Sequence, residues 1–213
     1  MKNIVLLVFL VSICFGCKYE SIYDYKGDPN GTLECIYITK YNGKDKIVNI
    51  PEKIGNKTPV GIYGYFVHGI YKGAFQSKGL TNVTIPESIK SIGDSAFKSN
   101  RLENVVLSNN VILIYSNAFA NNQINDIIIP DSVTNIMLNA FANNQLKSIT
   151  IPNSVIKIGE GAFRGNQLTK VIVPYSVTTV TIYIRNFGIS DREATLENLK
   201  KYVFDDGVTI IRQ

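Results

Sequence analysis

LTNVTIPESIKSIGDSAFKSN (residues 80–100) and LKSITIPNSVIKIGEGAFRGN (residues 146–166) are two copies of one pattern, set three periods of 22 residues apart. A leucine or isoleucine marks each period at Leu80, Leu102, Ile124, Leu146 and Leu168, and Phe75, Phe97, Phe119, Phe141 and Phe163 keep the same spacing, each preceded by alanine. Further apolar columns run Val83, Val105, Ile127, Ile149, Val171 and Ile92, Ile114, Ile136, Ile158, Val180. A period between 20 and 50 residues marks a stacked array in which each unit buries its apolar side only against its neighbours. The expected fold is therefore a repeat solenoid of 22-residue coils, its short parallel strands stacked in one curved sheet between N- and C-terminal caps.

Within one unit, Leu80, Val83 and Ile85, with Thr84 between the last two, read as a short extended segment whose alternate side chains face in and out. Pro86 should end its ladder, because proline offers no N–H; Pro130, Pro152 and Pro174 repeat the stop and Ser108 replaces it once. Asn100, Asn122, Asn144 and Asn166 recur where one coil passes to the next. Amides needed in every coil satisfy backbone groups of the stack and do not bind ligand. Gly161 shares a column with Ser95, Asn117 and Asn139, so the GEG of Gly159–Gly161 is a repeat position and not a phosphate loop. Gly93 and Gly159 share a column with Tyr115 and Met137, which argues against a positive φ there.

The strings quoted above, with LTKVIVPYSV (168–177), resemble the BspA-like leucine-rich repeats of bacterial surface lipoproteins, with their IPxSV and IGxxAF signatures. The resemblance spans residues 79–180, and VNIPEKIGNKTPVGI (48–62) resembles a divergent first repeat carrying an insertion of about 13 residues by comparison with the regular period. It implies attachment of a surface-displayed antigen to host proteins, extracellular matrix or other cells.

At the amino terminus, Ile4–Phe15 is almost wholly apolar and ends at Gly16-Cys17. Twelve residues, eleven of them apolar, are too few to span a bilayer and read as an export signal. A small residue directly before cysteine resembles a bacterial lipobox, with Cys17 lipidated and the chain held by its acyl groups at a membrane. An ordinary secretory signal with a free Cys17 is the other reading. The expected divisions are 1–16 signal, 17–31 lipidated tether, 32–78 N-terminal cap with the divergent repeat, 79–180 repeats, and 181–213 C-terminal cap. Cys35 lies in the apolar stretch Leu33–Thr39 and is expected to be buried, a Cys17–Cys35 disulfide being the alternative.

The formal net charge is +5, but residues 79–180 hold seven bases and six acids. Nucleic acid is not an expected partner, because its grooves call for a clustered basic stripe. With His68 as the single histidine and no close cysteine pair, no catalytic, cofactor or metal site is expected.

Two binding candidates remain. One is the outward row of the extended segment, Thr84, Val106, Ile128, Thr150 and Ile172, unusually apolar for a solvated face; strand propensity alone is the rival explanation. The other is the aromatic insertion around Tyr63, Tyr65, Phe66 and Tyr71, a rigid anchor loop or a cover for the first coil. Towards the carboxyl end, Ser190 and Glu193 form a capping-box pattern before Leu196, Leu199 and Val203, and a last strand is expected at Val208–Ile211.

The sequence thus reads as an exported, lipid-anchored, non-enzymatic solenoid of the cell envelope, at the outer membrane or cell surface, binding a protein or matrix ligand. A structural lipoprotein facing the periplasm is the alternative, and an unrecognised enzyme a distant one. The oligomeric state is open.

Overall fold

The computed structural model describes residues 23–27, 35–54, 57–58, 61–62, 65–184 and 188–213. Ile4–Phe15, Cys17 and Tyr63 lie outside them. The 22-residue period is one full coil of the stack, and the apolar columns form one continuous core along it: Leu80, Phe97, Leu102, Ile114, Phe119, Ile136, Phe141, Ile158 and Phe163 are each 0% exposed.

The phenylalanine column is a stack of rings. Phe75, Phe97, Phe119, Phe141 and Phe163 follow one another at centroid separations of 4.8, 5.3, 5.4 and 5.7 Å. Offset stacking at such spacing adds about 0.5–1.5 kcal/mol per pair beyond burial. Two residues outside the repeats lengthen the column, Tyr41 on Phe75 at 5.3 Å and Phe204 on Phe163 at 5.6 Å.

Parallel strands run on one side of the repeat coils, and on a second side in some of them. The continuous sheet does not pass through the Leu80–Ile85 segment and its equivalents; it passes through Ser91–Ile92, Leu113–Ile114, Asn135–Ile136, Lys157–Gly159 and Thr179–Ile184, all parallel. Tyr65–Ile70 and Cys35–Tyr41 extend it at one end, aligned as Ile70 with Ile92 and Ile38 with Ile70. Antiparallel strands then close both ends, Tyr23–Gly27 on Cys35–Tyr41 and Gly188–Glu193 on Thr179–Ile184.

The segment expected to carry the sheet forms a broken ladder on the other side. Ile47–Asn49, Asn82–Thr84 and Asn104–Val106 pair in parallel, Thr150 makes one bridge to Ile172, and Lys170–Val173 pairs with Thr209–Arg212. Residues 126–128 keep the alternation, with Ile127 and Ile129 buried, but form no strand. As expected, each strand stops before its proline or Ser108.

Between the two sides the chain turns through residues 94–99 and their equivalents. Two columns there adopt left-handed backbone: Gly73, Ser95, Asn117, Asn139 and Gly161, with φ from 54° to 66°, and Ser77, Ser99, Asn121, Asn143 and Gly165, with φ from 55° to 72°. Glycine and asparagine visit this region most readily and fill seven of the ten positions of the two columns; serine, with its short side chain, fills the other three. Gly93 and Gly159 are not in this conformation; a Cβ at Gly93 would lie 2.5 Å from the Ile70 carbonyl oxygen, so glycine there permits close approach of neighbouring coils.

The capping-box reading of Ser190 and Glu193 fails, because both are strand residues paired with Ile182 and Thr179. The helical turn Leu196–Asn198 is capped instead by Thr195, whose hydroxyl accepts from the Asn198 N–H at 3.1 Å, and continues as a π-turn over Leu199–Val203. Local pattern suggested a cap that the sheet edge overrode. The final strand runs Thr209–Arg212.

Candidate functional site

The outward row follows from the strand register. Val83, Val105 and Ile85 face the core, so Thr84 and Val106, aligned with each other, face solvent. Val106 is 57% exposed, Ile128 81% and Ile172 43%, with Thr84 and Thr150 also exposed. The structure therefore brings all five expected residues onto one surface. It also adds a residue that the 22-residue period does not reach. Ile211 aligns with Ile172 and is 39% exposed, lengthening the strip by one coil. Ile47 lies one row over, aligned with Asn82 and 63% exposed. Both could be found in sequence only by their alternation, Ile47-Val48-Asn49 and Thr209-Ile210-Ile211.

Beside the strip, Thr150, Ile172, Lys170, Pro174, Asn153 and Gln213 border a depression of about 420 Å³. Ile149, Ile151, Ile172 and Pro174 give it apolar lining, and Thr150, Asn153, Lys170 and Gln213 polar lining. Such a surface accepts an apolar side chain together with a polar or acidic group.

The described part of the aromatic insertion, residues 65–70, is a strand and not a separate loop. Tyr65 and Phe66 belong to the strand Tyr65–Ile70, paired antiparallel with Lys53–Ile54 and parallel with Cys35–Tyr41. Tyr71 follows it at 46% exposure, in register with Gly93 through Ile70 and Ile92. His68 lies in the same strand. What looked like a loop carries the coil's contribution to the continuous sheet.

The asparagine column does what its position requires. The Asn122 amide donates to the carbonyls of Phe97 at 3.0 Å and Phe119 at 2.9 Å, and its oxygen accepts from the Leu102 N–H at 3.0 Å. Asn100, Asn144 and Asn166 repeat the arrangement. These side chains are fully used by the stack, so they offer nothing to a ligand.

Two electrostatic features lie away from the strip. Lys157 and Asp191 form an ion pair at 2.6 Å, and the Thr181 hydroxyl donates to the same carboxylate at 2.7 Å. Those hydrogen bonds, Lys157 first, hold the Asp191 carboxyl below its ordinary value. Burial raises the Tyr41 phenol. Among the described residues no group of His, Cys, Asp and Glu is placed to hold a metal ion, and no helix is long and apolar enough to cross a membrane.

Six copies of the BspA type leucine rich repeat region match residues 68–187. The chain belongs to the BspA-type leucine-rich repeat family. Its solved neighbours carry the same architecture. A leucine-rich repeat protein from T. pallidum, TpLRR, is 27% identical, with a TM-score of 0.63 over 73% of this chain and 70% of that one. A leucine-rich repeat protein from Bacteroides ovatus is 22% identical with a TM-score of 0.62, over 71% of this chain. The pneumococcal vaccine antigen PcpA is 23% identical with a TM-score of 0.60, over 76% of this chain. This BspA-type chain spans 45% of each of the latter two structures. Among curated protein sequences there is no match.

Proposed function

We propose that this protein is an exported, lipid-anchored repeat scaffold of the cell envelope, without enzymatic activity, that binds other macromolecules through the strip Thr84–Val106–Ile128–Thr150–Ile172. The observation that carries the reading is the strip itself. Ile128 stands 81% exposed between Val106 and Thr150 in a row with polar neighbours, and an exposed apolar strip rimmed by polar groups marks a contact surface. The partners are host proteins, extracellular matrix or other cells, and the protein acts as an adhesin or surface antigen. The BspA-type repeats and the naming of one structural neighbour as a vaccine antigen support this reading.

In this account residues 1–16 are the leader, 17–31 the tether with Cys17 acylated, its Tyr23–Gly27 stretch docked as a strand on Cys35–Tyr41 and so part of the end cap, 79–180 the repeats, and 32–78 and 181–213 the two end caps. The caps have a physical task. Tyr41 and Phe204 cover the outermost rings, and the Asp205 carboxylate accepts from the Gly165 N–H at 2.8 Å, where a further coil would supply a carbonyl.

The test combines palmitate labelling with protease treatment of intact cells. Label in the native chain and none in Cys17→Ser, together with loss of the repeats to external protease, is the expected result. Protection of the repeats would place them on the periplasmic side and overturn surface display; equal label in both chains would overturn the anchor.

A further inference from the structure

The charges beside the strip are sorted along the array. Over residues 81–87, 103–109 and 125–131, the segments that carry Thr84, Val106 and Ile128, the charged residues are Glu87, Glu103, Asp126 and Asp131, all exposed and all acidic. Over residues 147–153 and 169–175, which carry Thr150 and Ile172, they are Lys147 and Lys170, both exposed and both basic. None of the six is ion-paired among the described residues, where the one such pair is Lys157 with Asp191. Past the acidic end, Lys46 turns its ammonium onto the Lys78 carbonyl at 3.0 Å. Past the basic end, Arg212 donates to the Pro174 and Val177 carbonyls.

A surface with an apolar middle, one acidic half and one basic half is complementary to itself when turned end for end. We propose that the strip also seats a second copy of the chain, with the two arrays antiparallel, in competition with the macromolecular partner proposed above. The proposal rests on the strip being a contact surface, and adds a homotypic occupant.

Parallel stacking sets acid on acid, which like-charge repulsion disfavours. Antiparallel stacking about an axis between the coils of Ile128 and Thr150 brings Asp126 over the coil of Lys147 and Glu103 over that of Lys170. Val106 then faces the coil of Ile172, and Ile128 that of Thr150. Such a contact uses the same patch on both copies, so it closes at two.

Disulfide trapping between two differently tagged full-length copies tests this. One copy carries Ile128→Cys and the other Thr150→Cys, with the unsubstituted chain as background. Ile112→Cys with Ile156→Cys, exposed on the coils' other side, is the control pair. The linked product should exceed control and background by about tenfold. When both copies carry Glu103→Lys and Asp126→Lys, or both carry Lys147→Glu and Lys170→Glu, trapping should fall by about tenfold; one copy of each kind should restore it. These side chains are exposed, and thermal melting checks that the variants fold.

Trapping no higher than the control, or equal yields in all four charge combinations, would overturn the homotypic contact. The strip would then be judged on its own by binding of a threonine variant to matrix proteins, so the two readings fail separately.

Discussion

Phe204 stacks on Phe163 with ring centroids 5.6 Å apart and planes 9° from parallel, continuing a column whose other members recur every 22 residues although Phe204 is 41 residues further along the chain. The end of the array is therefore built by a segment that imitates the next coil's ring without its sequence. Tyr41 does the same at the other end, 34 residues before Phe75. Because each coil depends on both neighbours, defects in the column should spread.

Phe141 is 0% exposed with rings on both sides. Phe141→Ala should cost about 3–5 kcal/mol in chemical denaturation. Phe204→Ala should instead loosen the last coils first, seen as faster amide exchange at Phe163 than at Phe97. Uniform exchange along the array would show that the terminal ring does not hold the end.

Asn122 bonds four backbone groups, the Leu102 N–H and the carbonyls of Phe97, Phe119 and Ala120, and so joins two coils. Asn122→Ala leaves them buried without that partner, at about 1–3 kcal/mol for each unsatisfied group. The urea midpoint measures the loss, and Asn122→Asp should fall short of rescue because a carboxylate cannot donate to the Phe97 and Phe119 carbonyls.

Asn139 has φ of 54° and aligns with Gly161 one coil on. Asn139→Gly should be tolerated and Asn139→Val should cost about 1–2 kcal/mol or more. Equal stabilities would mean that the turn relaxes out of the left-handed region.

Asp191 titrates below its ordinary value because Lys157 and Thr181 bond its charged form. A carboxylate depressed in the folded state adds stability above its unfolded value, and that addition is lost as pH falls through the folded one. Asp191→Asn should flatten the acid side of the stability profile below about pH 4 relative to wild type. The effect should be small, as both partners are partly exposed.

The repeat period, the core columns and the outward row were legible because a stack repeats its physical demands at a fixed spacing. Ile128 is outward for the same reason that Ile127 and Ile129 are inward. The two columns of left-handed residues were legible only as a preference for Gly, Ser and Asn; the second, from Ser77 to Gly165, carries no apolar signal. The path of the continuous sheet was not legible, since both apolar segments of a coil alternate and backbone pairing, not composition, decides between them. Ile211, Phe204 and Tyr41 escaped because terminal coils meet the same demands without the period.

The most direct test of the strip as the contact surface is binding of the chain to immobilised extracellular-matrix proteins, with Val106→Thr, Ile128→Thr and Ile172→Thr combined in one variant. Threonine suits outward strand positions, so the fold should stay intact. The account predicts a fall in binding of about tenfold or more at an unchanged melting temperature. Undiminished binding by the folded triple variant would contradict it.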